Sequence, residues 1–327
     1  MKRGTLLIAL LLIASFIPLT GASEEKPLVV ASIAPIASIV QDAFGDAVEV
    51  VYLIPPGANP HEYQMTADQI ELLRSADVIV TTGGHLPMEK KISELKEEGT
   101  ITGETLFFDD YREEGFRYLP EHWYNGKDNP HGVWLDPYNA LAIASAVEKA
   151  LEKADPVNAG LYRELYSDFE GRVRAIVEAY KALVDENRTA VIQLPSNQYA
   201  IEWLGITAVA SIKPEEEVPA IAVDELVETA RGADLVIYAV DSPEQMKDAA
   251  SELARKSGKP LAGIRVFWSE KPYTEVLIEN SAAVIKALGG ERQEAGNVQE
   301  NDVGRYVVLS LVSGIVLGVA LGVILKK

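Results

Sequence analysis

Two histidines in one repeated tripeptide are the residues of this chain best placed to do chemistry. His61 closes Asn59-Pro60-His61, His131 closes Asn129-Pro130-His131, and the sequence holds four histidines in all. Each proline locks its own φ and biases the asparagine before it towards extended backbone, so both rings are carried on stiff chain. Imidazoles held stiffly on two loops are the donors a transition-metal site uses. Plainer readings compete, since a loop histidine often only packs or caps and a tripeptide can recur by chance. The pairing favours the metal.

Composition narrows the donor set. The chain has 327 residues and no cysteine, which excludes disulfides, thiolate zinc sites and cysteine catalysis. Any metal must be held by histidine, carboxylate, amide or water. Lys+Arg 30 against Asp+Glu 49 gives a net charge of −19, the wrong sign for nucleic acid and the right sign for concentrating cations. Catalytic motifs are missing. His61-Glu62 begins like H-E-x-x-H but position 65 is Met, and there is neither a G-x-S-x-G elbow nor a glycine-rich nucleotide loop. The chain does not read as an enzyme.

The elements that must position these rings form an α/β pattern. Strands are expected at Pro27–Ser32, Val48–Ile54 and Asp77–Thr82, with helices at Pro35–Phe44, from Thr66 and over Lys90–Glu98. The second of these is introduced by a Thr66/Gln69 capping box. His61 follows the Pro55-Pro56-Gly57 break after the second strand. Phe107–Asn129 is irregular and rich in aromatics and acids, and Asp136-Pro137 caps a helix to Leu151. Apolar residues at Leu161, Leu165, Phe169, Val173, Val177, Tyr180 and Val184 predict a helix over Pro156–Asn187, roughly 45 Å long at 1.5 Å per residue. Strand and helix then alternate again to Leu288. Continuous apolar strands alternating with helices imply mostly parallel sheets with flanking helices. The expected organisation is a lobe at 24–155, a connecting helix at 156–187 and a second lobe at 188–288.

Both ends suggest a membrane. Lys2-Arg3, the apolar run Leu6–Leu19 and the small residues that follow read as a signal peptide over 1–23. The polar stretch 289–305 reads as a linker, and the uncharged run 306–325 is long enough to span ~30 Å of hydrocarbon. Lys326-Lys327 would keep that end inside, placing the binding domain outside the cell membrane on a single-pass anchor.

Two segments resemble a known family. PPGANPHEYQMTADQIELLRSAD, ending at Asp77, looks like the first signature of the zinc/manganese-type metal-binding receptors (solute-binding proteins) of ABC transporters. NPHGVWLDPYNALAIASAVEKAL, starting at Asn129, resembles the second. The resemblance covers about residues 27–288. It implies two lobes joined by a rigid helix, with a divalent metal, Zn or Mn, carried between them to an ABC permease. His61 and His131 match the family's first-lobe ligands. The second lobe departs, because Ile192–Tyr199 lacks the histidine and Val266–Ser269 lacks the carboxylate that the family brings there. Glu270, Gln193, His122 and the pair Asp109/Asp110 are candidates to complete the set, and His85 is the remaining histidine. Oxygen donors in place of nitrogen would shift preference towards Mn²⁺. The alternative is the same fold with a degenerate site, binding another solute or acting as a surface adhesion or interaction module.

Overall fold

The computed structural model describes residues 26–55, 57–215 and 219–294. The expected signal peptide and the 306–325 membrane helix lie outside the described residues. Among the described residues no helix is long and apolar enough to cross a membrane.

β1 (Leu28–Ile33) is buried at every position but its first, as a central strand covered on both faces must be. It leads straight into α1 (Ala34–Phe44), with Pro35 in the first turn. β2 (Glu49–Ile54), α2 (Ala67–Ser75), β3 (Val78–Val80), α3 (Pro87–Glu97) and β4 (Glu104–Leu106) follow. The four strands form one parallel sheet in the order β2-β1-β3-β4. The Thr66 capping box forms as its sequence implies: Thr66 Oγ1 accepts from Gln69 N (3.3 Å), and Gln69 Oε1 accepts from Thr66 N (3.1 Å). α3 corrects an expectation. It begins at Pro87 rather than Lys90, and it buries Met88, Glu89, Ile92 and Leu95. Proline at the first helical position was the overlooked start signal.

The segment expected to be irregular carries α4 (Phe108–Arg112) and a short antiparallel pair, β5 (Leu119–Pro120) with β6 (Asp128–Asn129). α5 (Pro137–Ala154) is capped by Asp136, whose Oδ1 accepts from Tyr138 N at 2.8 Å. α6 (Ala159–Lys181) is shorter than expected, ending well before Asn187, which has φ +64°. Its buried stripe is Tyr162, Phe169, Val173, Ile176, Val177 and Tyr180, while Leu161 is 44% exposed. Phe169, Val173, Val177 and Tyr180 face inward as expected, and at the first turn Tyr162 takes the place expected of Leu161.

A second parallel sheet, β10-β9-β7-β8, comprises β7 (Arg188–Ile192), β8 (Ile206–Ser211), β9 (Leu235–Ala239) and β10 (Leu261–Ile264). Its helices are α7 (Gln198–Ile201), α8 (Val223–Gly232), α9 (Glu244–Ser257) and α10 (Tyr273–Glu294). α10 runs through the first residues of the expected linker.

Two bonded regions join the halves. On one side α6 packs against α1, α5 and α10. Asp42 of α1 accepts from Arg172 Nη1 (2.7 Å), Thr274 N (2.8 Å) and Thr274 Oγ1 (2.7 Å). On the other side, segment 119–134 of the first half reaches across. Leu119 N donates to Tyr199 Oη (2.9 Å), Gln198 Nε2 to Pro120 O (2.9 Å), Trp123 Nε1 to Pro214 O (3.0 Å) and Trp134 Nε1 to Val266 O (2.9 Å). The Tyr199 hydroxyl also donates to Asn129 O in a short bond. Tyr199 is fully buried, so removing its hydroxyl leaves two buried backbone groups unpaired, at about 1–3 kcal/mol each. Tyr199→Phe should therefore lower the unfolding free energy by ~2 kcal/mol or more, read as a reduced denaturant midpoint at unchanged slope.

Candidate metal centre

Parallel strands leave their carboxyl ends as the natural place for a ligand, and here the ends of both sheets open on one cavity of about 780 Å³. The loops after β2 and β3 bring His61 and His85, and the segment after β6 brings His131. The loops after β8, β9 and β10 bring Lys213, Asp241 and Phe267 from the other side.

Each ring is held by a device that can be traced to sequence. In both Asn-Pro-His tripeptides the asparagine Oδ1 accepts from the histidine N–H, at 3.1 Å for His61 and 2.9 Å for His131. This is an Asx turn, which adds a side-chain lock to the stiffness of proline. Asn129 is fully buried and also donates from Nδ2 to Pro195 O (3.0 Å) and Gln198 Oε1 (2.9 Å). Gly132, next to His131, has φ +80°, and a Cβ there would lie 2.6–2.7 Å from Ser196. Only glycine lets the His131 loop seat this closely on the second half.

His85 is positioned from behind. Glu89 is completely buried, and its carboxylate accepts from Thr82 N (2.6 Å), Thr82 Oγ1 (2.8 Å), Gly84 N (3.0 Å) and Leu86 N (3.4 Å). Thr82 Oγ1 in turn lies 3.1 Å from His85 Nδ1. A hydroxyl that gives its proton to Glu89 accepts one from Nδ1–H, which leaves the Nε2 lone pair available as a ligand. Carboxylates standing behind ligand imidazoles fix ring and tautomer in this way.

The three rings converge. Their centroids are 5.5 Å (His61–His131), 5.8 Å (His85–His131) and 6.4 Å (His61–His85) apart. An ion ~2.0–2.1 Å from three nitrogens in tetrahedral array sets ring centres roughly 5 Å apart. The rings therefore stand slightly wider than a closed site, and among the described residues no three His, Asp or Glu side chains already meet in coordinating geometry. Burial, reinforced by His61 and Lys90, pulls the His85 imidazole down to about 4. His85 is thus neutral, as a ligand must be, throughout the physiological range.

The other candidates lie elsewhere. Gln193 is fully buried and committed to structure, accepting from Ala239 N (2.8 Å) and donating to Ser242 Oγ (3.0 Å). Glu270 borders a separate cavity with Asp42 and Arg172. His122 is 3.6 Å from Glu202 and does not line the site. Asp110 bonds Phe107 N (2.8 Å), while Asp109 pairs with Arg112 (3.1 Å). Trp268 turns away to Ser38 Oγ (2.8 Å). Among the described lining residues the carboxylate is Asp241, which lies across the cavity from the rings and which sequence reasoning missed. It accepts from Val266 N (3.1 Å) and Phe267 N (2.5 Å), and burial raises its pKa. Its sequence signal was only its place directly after a strand.

Residues 29–287 match the model of a family described as "ZnuA: Zinc-uptake complex component A periplasmic". Among curated proteins, the iron-binding protein YfeA of Yersinia pestis is 29% identical over 215 residues, 62% of this chain and 62% of its own length. The manganese ABC transporter substrate-binding lipoprotein PsaA of Streptococcus pneumoniae (strain TIGR4) is 25% identical, over 70% of this chain and 78% of its own length. A crystal structure of ZnuA superposes with a TM-score of 0.65 at 18% identity, covering 80% of this chain and 99% of that one. The Mn-bound periplasmic metal binding protein of Candidatus Liberibacter asiaticus gives 0.65 at 21% identity, covering 80% and 100%. At these identities the structures establish the fold.

The depressed His85 ionisation sets a stability test for the metal-free protein. An unfolded chain protonates this ring near its ordinary value of ~6.5, while the folded state resists down to about 4. The contribution is therefore complete above ~6.5 and is lost as pH falls from there to about 4, an upper bound of ~3 kcal/mol. The stability difference between wild type and His85→Gln should change by up to this amount between about pH 7 and pH 4.5, measured by chemical denaturation at both.

Proposed function

Because this chain belongs to the ZnuA family of periplasmic zinc-uptake components, we propose that it is the extracytoplasmic receptor of an ABC importer for a divalent metal ion. The ion is cargo, taken up in the cavity between the two sheets and passed to a permease. His61 and His131 are two of its ligands and His85 is the third. The observation that carries this reading is the convergence of the three rings on one cavity, each held by its own turn or relay. A receptor rather than an enzyme is in keeping with the solute-binding family to which residues 29–287 match. The signal peptide and terminal anchor expected from the sequence fit a receptor tethered to the outer face of the membrane.

The donor set also favours one metal. Imidazole nitrogen suits Zn²⁺ and carboxylate oxygen suits Mn²⁺. The sequence, short of ligands in its second half, suggested oxygen replacements and hence manganese. Three nitrogen donors reverse that preference in favour of zinc.

Calorimetric titration of the chelator-treated protein tests the proposal. We expect one Zn²⁺ per chain, held about tenfold or more tightly than Mn²⁺. His61→Ala/His131→Ala should abolish binding and His85→Ala should severely weaken it. Thr82→Val, which breaks the relay but leaves every ring, should cost about 10–100-fold. Unaltered zinc affinity in the double alanine variant would refute the proposal.

A further inference from the structure

The turn from α6 into β7 carries a motif that metal binding leaves unused. Of the ten asparagines in the chain, Asn187 alone is followed by a non-proline residue and then by serine or threonine, as Asn187-Arg188-Thr189. That tripeptide is the acceptor pattern for N-linked sugar. Such a match is common by itself, and its position decides its meaning.

The position is an open one. Ala182, Leu183, Asp185, Glu186 and Asn187 are all exposed. Asn187 has φ +64°, a left-handed conformation that asparagine tolerates better than most residues. By contrast Asn129, Asn139, Asn197 and Asn280 are buried. The residues around Asn187 are pinned by other bonds. Arg188 pairs with Asp185 (2.8 Å) and Asp234 (2.7 Å), and Thr189 N donates to Asp234 Oδ2 (2.7 Å). The turn therefore stays in place whatever its tip carries. It also lies away from the rings. β7 leads from Asn187 towards the cavity, which Leu194 lines, and its five residues at ~3.3 Å each put roughly 16 Å between the two.

We infer that Asn187 is a glycosylation site, bearing an N-linked oligosaccharide on the outer surface of the receptor. This rests on the extracytoplasmic part of the reading above, because such acceptors are used on secreted chains. In the transfer, Asn187 Nδ2 attacks the anomeric carbon of a lipid-phosphate-linked oligosaccharide. A C–N bond forms, the C–O bond to phosphate breaks, the lipid phosphate leaves with the bonding pair, and Nδ2 gives up one proton. Arg188 and Thr189 pair with Ile206 and Thr207 of β8 in the finished sheet, so transfer precedes that pairing, on the emerging chain. The sugar then shields an exposed turn of the kind that proteases nick.

Tryptic peptides of the full chain, purified from membranes of the cells that make it, test the proposal. Cleavage after Lys181 and Arg188 yields segment 182–188, expected to be heavier than its sequence by two or more sugar residues. Enzymatic release of the sugar from the amide should leave aspartate in place of Asn187. Thr189→Ala should abolish the modification and Thr189→Ser restore it. Asn187→Asp should abolish it while keeping a residue that tolerates the left-handed turn. Zinc affinity should stay within about twofold in all three, since the sites are far apart. Protease resistance of the turn should fall several-fold in the unmodified forms. An unmodified 182–188 peptide on a chain that external protease reaches in intact cells overturns the inference and leaves the receptor standing. A chain that no external reagent reaches overturns the extracytoplasmic reading and the inference with it.

Discussion

Asn129 is the point through which the site and the fold depend on each other. Its Oδ1 holds the His131 amide, its Nδ2 reaches Pro195 and Gln198 of the second half, and its carbonyl takes the Tyr199 hydroxyl. The residue is fully buried, so all of these groups must find partners, each one left unpaired costing about 1–3 kcal/mol. Here the partners are the His131 loop and the opposite half of the molecule. The position of His131 is consequently fixed by the same bonds that fasten the two sheets together.

Much of this was legible in the sequence because it is local. The Thr66/Gln69 box, the Asp136-Pro137 start and the two Asn-Pro-His turns each lie within a few residues, and each forms. His85 was not legible, because nothing in Gly83-Gly84-His85 resembles the other two tripeptides. It joins them only through strand order. β1 lies between β2 and β3, so loops leaving the same ends of those outer strands start roughly 10 Å apart, close enough for side chains to converge. Asp241 was hidden for the same reason, since its relation to the histidines exists only once two sheets face one another. The α6 stripe was legible at Phe169, Val173, Val177 and Tyr180 and failed at its start, where Tyr162 rather than Leu161 is buried, about 100° away around the helix.

Glu89 shows how a buried charge can serve a site it does not enter. Burial raises its pKa, while the bonds from Thr82 and Leu86 oppose that rise. The bonds from Thr82 and Leu86 flank the Gly83-Gly84 turn, where the two glycines take φ of +121° and +94°. The carboxylate thus shapes the backbone that carries His85 and, through Thr82, orients its ring.

That all three rings belong to one half has a consequence for signalling. A ligand with equal affinity for two arrangements of a protein shifts neither, however tightly it binds. Were an ion held by His61, His85 and His131, its occupancy would bear on how the halves sit through one of the three rings alone, because the His131 loop is fastened to Pro195, Ser196 and Gln198 of the second half while His61 and His85 ride on loops of the first. Tightness of capture, set by three rings, and visibility of capture, set by one loop, would then be separate properties.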